Sequence, residues 1–267
     1  MANFVTSLDG TKIAYTKKGV GSPLILIDGA FCHRKFGANV KLPKYLTDHF
    51  EVFTYDRRGR GESGNTQPYK VEREFEDLQA IINEIGEPPF VYGISSGAAL
   101  ALEAAKVGLN FKKLIVFEAP YITDTSRSPF PENYLKNIQK LIKEKRYAET
   151  VKYFMKTGIG LPSFVVWMMQ LMPAWKKMKQ VAPTLEYDTL MLRDYGSGKS
   201  LNIKDWETIQ IPVLVISGTK SEQWSQNAMK QLAEVLPNGK HLDLVGQNHL
   251  VNPKVLTPHL INFFKNE

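Results

Sequence analysis

Gly93-Ile94-Ser95-Ser96-Gly97 constrains this chain more than any other stretch. The apolar run Phe90-Val91-Tyr92 leads into it, and the small-residue series Gly97-Ala98-Ala99-Leu100-Ala101-Leu102-Glu103-Ala104-Ala105 leads out. A buried strand that turns at once into a helix is the setting of a G-x-S-x-G nucleophile elbow. A serine in so sharp a turn sits in a strained backbone conformation, and glycines two residues to either side leave room for the reversal. Ser95 therefore reads as a nucleophile. A glycine-rich turn with incidental serines is the plainer alternative, and the strand before and helix after argue against it.

Further short apolar runs, Leu24 to Ile27, Val52 to Tyr55, Leu114 to Phe117, Val213 to Ile216 and His241 to Val245, alternate with helical patterns. That alternation argues for an α/β fold with a mostly parallel sheet covered on both faces. Asp9-Gly10, between Phe4–Leu8 and Lys12–Lys17, suits a tight hairpin, so an antiparallel pair is expected first. Phe75, Leu78, Ile82 and Ile85 recur at helical spacing, as do Ala228, Leu232 and Val235, and a last helix follows Asn252-Pro253 with Val255, Leu260, Ile261 and Phe264. From about Pro120 to Asp205 the alternation stops, and three or four helical patterns succeed one another. The reading is a core of residues 1–119 and 206–267 with a helical lid inserted at 120–205. Its middle, Phe164 to Trp175, is rich in Met and Trp and either lines an apolar pocket or packs the insertion; Trp167 and Met168, with Phe31 from an earlier loop, are the candidate substrate contacts.

With 267 residues, 43% of them hydrophobic, the chain can bury the core of one α/β domain but is too short for two large ones. Its net charge of +7 is scattered over predicted helices, with only Arg57-Arg58-Gly59-Arg60 and Lys143-Glu144-Lys145-Arg146 clustered. This reads as solvated surface, and no nucleic-acid partner is expected. Cys32 is the single cysteine, which excludes an intrachain disulfide and a thiolate metal site and is compatible with a reducing compartment. Residues 1–10 lack a basic n-region and an apolar h-region, and no stretch approaches the length of a spanning helix. A soluble cytoplasmic protein without membrane insertion is expected.

A serine hydroxyl needs a base, and histidine is the usual one because its pKa lies near neutral pH. His249 lies in the glycine-containing loop Gly246-Gln247-Asn248-His249, after the last predicted strand and before the final helix, where a side chain can reach across the strand ends toward Ser95. His33, His49, His241 and His259 occupy weaker positions. At this point the sequence resembles the α/β-hydrolase superfamily over nearly its whole length, because Asp56-Arg57-Arg58-Gly59-Arg60-Gly61-Glu62-Ser63-Gly64 is similar to that family's D-x-R-G-x-G-x-S loop. The resemblance implies an eight-stranded, mostly parallel sheet with helices on both faces and a lid after the sixth strand. The G-x-G-x-x-G within the same loop is not read as a dinucleotide site, since Asn65-Thr66-Gln67-Pro68 breaks the chain where a Rossmann helix would begin.

In the family the triad acid usually follows the seventh strand, but here that turn reads Gly218-Thr219-Lys220-Ser221-Glu222, with Ser221 where an aspartate is usual. A serine could hydrogen-bond the histidine but carries no charge to stabilise imidazolium. Glu118, ending the sixth strand, resembles the acid that some members take from that strand, and it is preferred to Glu222 because a strand end fixes a side chain better than a loop. For the oxyanion, the N–H of Ser96 at the start of a helix is one candidate donor. The resemblance implies a second from the loop after the third strand, here Asp28-Gly29-Ala30-Phe31, with Ala30 first and Phe31 next. Asp28 replaces the usual histidine and could repel an anionic intermediate unless it points away.

Cys32-His33 is a poor nucleophile and base, since adjacent residues seldom face each other, and no metal-ligand motif is present. The expected protein is a cofactor-independent serine hydrolase acting on a small or medium, apolar acyl ester through an acyl-enzyme, with Ser95, His249 and Glu118 as its triad. Lactonase, thioesterase, peptidase and acyltransferase chemistry could use the same residues, and a peptidase could take Glu186 or Asp188 as an ammonium anchor. A ligand-binding protein on a hydrolase scaffold is the reading outside enzymes. Substrate and oligomeric state stay open.

Overall fold

Asp9 and Gly10 turn the chain, though not as a two-residue hairpin. Strand β1 (Asn3–Thr6) pairs antiparallel with β2 (Lys12–Lys18), and Ser7 closes the wider turn by donating its N–H to Thr11 O at 2.9 Å and accepting from Gly10 N–H at 2.9 Å. The Asp9 carboxylate accepts the Thr11 N–H at 3.0 Å, and that side-chain bond widens the loop. Leu8, expected in the strand, instead lies in the turn and is exposed.

The computed structural model describes residues 2–266, in which β1, β2, β3 (Pro23–Ile27), β4 (Glu51–Tyr55), β5 (Phe90–Ile94), β6 (Lys113–Phe117), β7 (Val213–Gly218) and β8 (Gly239–Leu244) form one eight-stranded sheet in the order β1-β2-β4-β3-β5-β6-β7-β8. Pairings from β4 to β8 are parallel, and β2 joins antiparallel to β4. Every residue of β3, β5 and β7 is buried, as a sheet covered on both faces requires.

Alternate strand residues feed two cores. Ile25, Ile27, Val91, Val116 and Val215 pack with Leu78 and Ile81 of α1 (Val71–Ile85), with α2 (Ser96–Lys106), and with Met229 and Leu232 of α8 (Gln223–Val235). Leu24, Leu26, Tyr92, Phe117 and Ile216 pack with Leu256, Leu260 and Phe264 of α9 (Pro253–Asn266). Glu72 and Glu74 favour the first turn of α1, and Gly86, at φ 81°, ends it by donating its N–H to Ile82 O. The chain places β4 on one side of β3 and β5 on the other, so the loops after β3 and β5 diverge and leave a crevice at the strand ends.

Between β6 and β7 lie five short α-helices rather than three or four: α3 (Tyr134–Lys143), α4 (Tyr147–Tyr153), α5 (Ser163–Met169), α6 (Ala174–Val181) and α7 (Leu185–Met191). Gly160, Pro162, Pro173 and Pro183 fall at or near the breaks, where residues that cannot continue a helix divide the pattern. These helices bury a core of their own, including Ile138, Val151, Phe154, Val166, Trp175 and Leu185. Among the described residues no helix is long and apolar enough to cross a membrane.

Candidate active site

Ser95 directly follows β5 with φ 57° and ψ −130°, and its hydroxyl does not cap α2, which begins at the next residue. The flanking glycines are required by contact. A Cβ on Gly93 would lie 2.6 Å from Gly97 O, and one on Gly97 would lie 2.5 Å from Ile27 O. Among the described residues those with positive φ other than glycine are Phe31, Ser95, Glu118 and Lys145, and the first three follow β3, β5 and β6 at one rim of the sheet. Strain of this kind persists where surrounding contacts over-determine it, and it concentrates at functional sites.

The Ser95 N–H donates to Phe117 O at 2.9 Å, which sets the serine beside the end of β6, where Glu118 follows. Glu118 is buried, and its Oε2 lies 2.7 Å from His249 Nδ1. Its other oxygen, Oε1, accepts the Gly218 N–H at 2.9 Å and the Ser221 hydroxyl. The carboxylate is thus held by three contacts, from the last residue of β7 and from the loops after β7 and β8. Ser221 therefore engages the carboxylate and not the histidine, contrary to the possibility raised from the sequence. Glu222 is exposed and precedes α8. The His249 side chain is 51% exposed, with Nδ1 held against Glu118.

The N–H of Ser96, first in α2, has no acceptor within the helix. Across from it, a Cβ on Gly29 would come within 2.8 Å of Ser95 Cβ, so only glycine lets the loop after β3 approach the nucleophile this closely. Ala30 follows and is half-buried. Phe31, by contrast, turns into the core of the helical insertion, its ring edge-on to Phe154 at 5.3 Å.

Asp28 points away from this rim into the protein, where its Oδ1 accepts the Asn39 N–H at 3.2 Å. Burial pushes its carboxyl up to about 7, against the pull of the Asn39 N–H, Arg60 and Arg57. The folded protein then keeps a proton that the unfolded chain has already lost, so ionisation of Asp28 removes stability as pH rises from about 4 to about 7. Asp28→Asn preserves the acceptor oxygen without the charge. Its melting temperature relative to wild type is expected to rise by several degrees between pH 5 and pH 7 and to stay level above that. A difference independent of pH would show that Asp28 is ionised throughout.

Arg57, Arg58 and Arg60, which the sequence suggested as solvated surface, are at most 2% exposed. Arg57 forks onto Glu74, with Nε at 2.6 Å and Nη2 at 2.7 Å, and Arg58 forks onto Asp77 at 2.8 and 2.6 Å. Arg57 and Arg60 both reach Asp188 of α7, at 2.9 and 2.7 Å. With both oxygens engaged and no exposure, Asp188 cannot anchor a substrate ammonium, which removes it from the peptidase reading. Glu186 is half-buried and accepts from Gln139 at 2.7 Å. The sequence carried no signal for these pairings beyond the residue types.

Phe164 to Trp175 divides between two fates. Val166 and Trp175 join the core of the insertion, whereas Trp167 is 62% and Met168 52% exposed. Internal packing therefore accounts for part of the segment, and for Phe31, but not for Trp167 and Met168. Cys32 is half-buried, and burial pushes its thiol up to about 12, where no thiolate is available near neutral pH. Among the described residues no group of His, Cys, Asp or Glu could hold a metal ion.

Residues 28–253 match the model of the alpha/beta hydrolase family. An alpha/beta hydrolase from Sphaerobacter thermophilus DSM 20745 is 42% identical, with a TM-score of 0.91 over 98% of this chain and 100% of that one. More distant are a thermophilic esterase from Thermogutta terrifontis, in a malate-bound structure, and a bromoperoxidase from Bacillus anthracis. The first is 20% identical with a TM-score of 0.70 and covers 99% of this chain and 98% of its own. The second is 19% identical with a TM-score of 0.72 and covers 100% of both. At those identities the likeness is one of fold.

Proposed function

The chain belongs to the alpha/beta hydrolase family, and from that premise we propose that it is a serine hydrolase cleaving carboxylic esters through an acyl-enzyme. The observation that carries this reading is the buried Glu118 carboxylate, 2.7 Å from His249 Nδ1 and beside the elbow that presents Ser95. A carboxylate in that place keeps the proton on Nδ1, so Nε2 is free to take the proton from Ser95 as it attacks the ester carbonyl. The imidazolium that forms is stabilised by Glu118 and returns its proton to the leaving alkoxide. Backbone N–H groups of Ser96 and Ala30 receive the developing oxyanion, and the N-terminus of α2 adds a favourable field. Water activated by His249 then releases the acid. A serine nucleophile forms an ester with an acyl group, whereas dehalogenase or epoxide-hydrolase chemistry would need a carboxylate there.

The helical insertion is proposed to act as the lid that selects the acyl group, and the outward-facing Trp167 and Met168 to lie at its entrance. Turnover of p-nitrophenyl acetate and butyrate, measured beside equilibrium binding of the same esters, tests the reading. Saturable kinetics with continuous release of nitrophenol are expected. Saturable binding without nitrophenol release would establish a ligand-binding protein instead.

A further inference from the structure

Asp188 lies on α7 of the helical insertion, yet its carboxylate reaches the back of the nucleophile turn. Its Oδ1 accepts the Ser96 hydroxyl at 2.7 Å, and its Oδ2 accepts Arg60 Nη2 at 2.7 Å. Arg60 in turn donates Nη1 to Gly29 O at 2.7 Å, and its Nε to Thr184 Oγ1 at 3.0 Å, just before α7. Arg57 Nη1 completes the cluster at 3.2 Å from Ser96 Oγ, 2.9 Å from Asp188 Oδ1 and 3.5 Å from Asp28 O. All these side chains are buried.

The two ends of this chain of bonds coincide with the two proposed oxyanion donors. Ser96 is tied through its own side chain. The Gly29 carbonyl and the Ala30 N–H belong to one planar trans peptide, so fixing the carbonyl oxygen on one side fixes the direction of the N–H on the other. A hydrogen bond to that carbonyl also polarises the peptide and strengthens its N–H as a donor. We propose that Asp188 is a positioning residue for the oxyanion hole, holding the Ser96 donor directly and the Ala30 donor through Arg60, so that the helical insertion aligns the reaction centre as well as covering it. The inference rests on the serine-hydrolase reading above.

Burying two guanidinium groups against carboxylates is an expensive way to gain stability, because apolar residues of the same volume commonly serve as well or better. Directional hydrogen bonds to a peptide carbonyl and a hydroxyl are what apolar residues could not supply. The planar fork of Arg60 can face Asp188, Thr184 and Gly29 at once, and a lysine in its place could not reproduce that geometry.

Ser96→Ala is the cleanest test, since it removes one hydroxyl and leaves the Ser96 N–H and every ion pair in place. With p-nitrophenyl butyrate, kcat is expected to fall about tenfold with KM within about twofold, because a misaligned donor weakens transition-state binding and not substrate binding. Affinity for a trifluoromethyl ketone, whose adduct carries the oxyanion, should fall by a similar factor. Asp188→Asn loosens both donors and should lose about a hundredfold in kcat; if it does not fold, Ser96→Ala decides alone. A Ser96→Ala enzyme with a lower melting temperature but unchanged kcat and ketone affinity would overturn the proposal and leave Asp188 a structural residue. Failure of the wild-type protein to turn over esters would instead strike the hydrolase reading on which it rests.

Discussion

A fluorophosphonate probe is expected to label Ser95 and no other serine, and Ser95→Ala to lose both labelling and ester turnover. The rival hydroxyls are already committed: Ser96 is buried and bonded to Asp188, and Ser221 donates to Glu118. Ser95 is the serine whose hydroxyl stands at a strained strand end without capping the helix that follows. Loss of the nucleophile leaves only what binding and the oxyanion hole contribute, so a fall of about 10³-fold or more is expected. Because the hydroxyl caps nothing, the variant should melt close to the wild type. Mass-spectrometric localisation of the label to Ser96 or Ser221, or retention of turnover in Ser95→Ala, would refute the assignment.

Glu118→Gln should be crippled where Glu222→Gln is nearly neutral. The amide oxygen of a glutamine at 118 can still accept from Gly218 N–H and Ser221, which turns its NH₂ toward His249. A donor facing Nδ1 moves the imidazole proton to Nε2, the nitrogen that has to accept the proton of Ser95, and the charge that stabilises imidazolium is gone as well. A loss of about 10²- to 10⁴-fold in kcat is expected. Glu222 is exposed at the start of α8, and its amide variant should stay within a few-fold of wild type. The opposite pattern would place the acid after β7. Near-normal activity in both variants would mean that Ser95 and His249 work without a carboxylate.

Strands β3, β5 and β7 were readable from apolar runs because each is buried along its whole length, which leaves little room for polar side chains, whereas β8 at the sheet edge is only partly buried. The elbow was readable for a similar reason. Its glycines answer contacts made within the turn itself and with the end of the neighbouring strand, and a short motif records them. Where a local device other than apolar spacing intervened, the patterns misled. Asp9 widened the first turn, and the breaks made by Gly and Pro divided the insertion more finely than its apolar periodicity suggested.

The sequence by itself determined the layers of this fold, the serine-bearing turn and the loops at the strand ends from which Glu118 and His249 project, because helix and strand periods, strand ends and tight turns depend on neighbours a few residues away. Tertiary structure alone decided what each charge faces. Arg57 and Arg60 looked like surface residues until Asp188, 131 and 128 residues further on, was brought against them, and Ser221 found Glu118 across 103 residues. A buried charge is tolerable only with its partner in place. That partner is chosen by the packing of whole elements, which no local pattern of residues records.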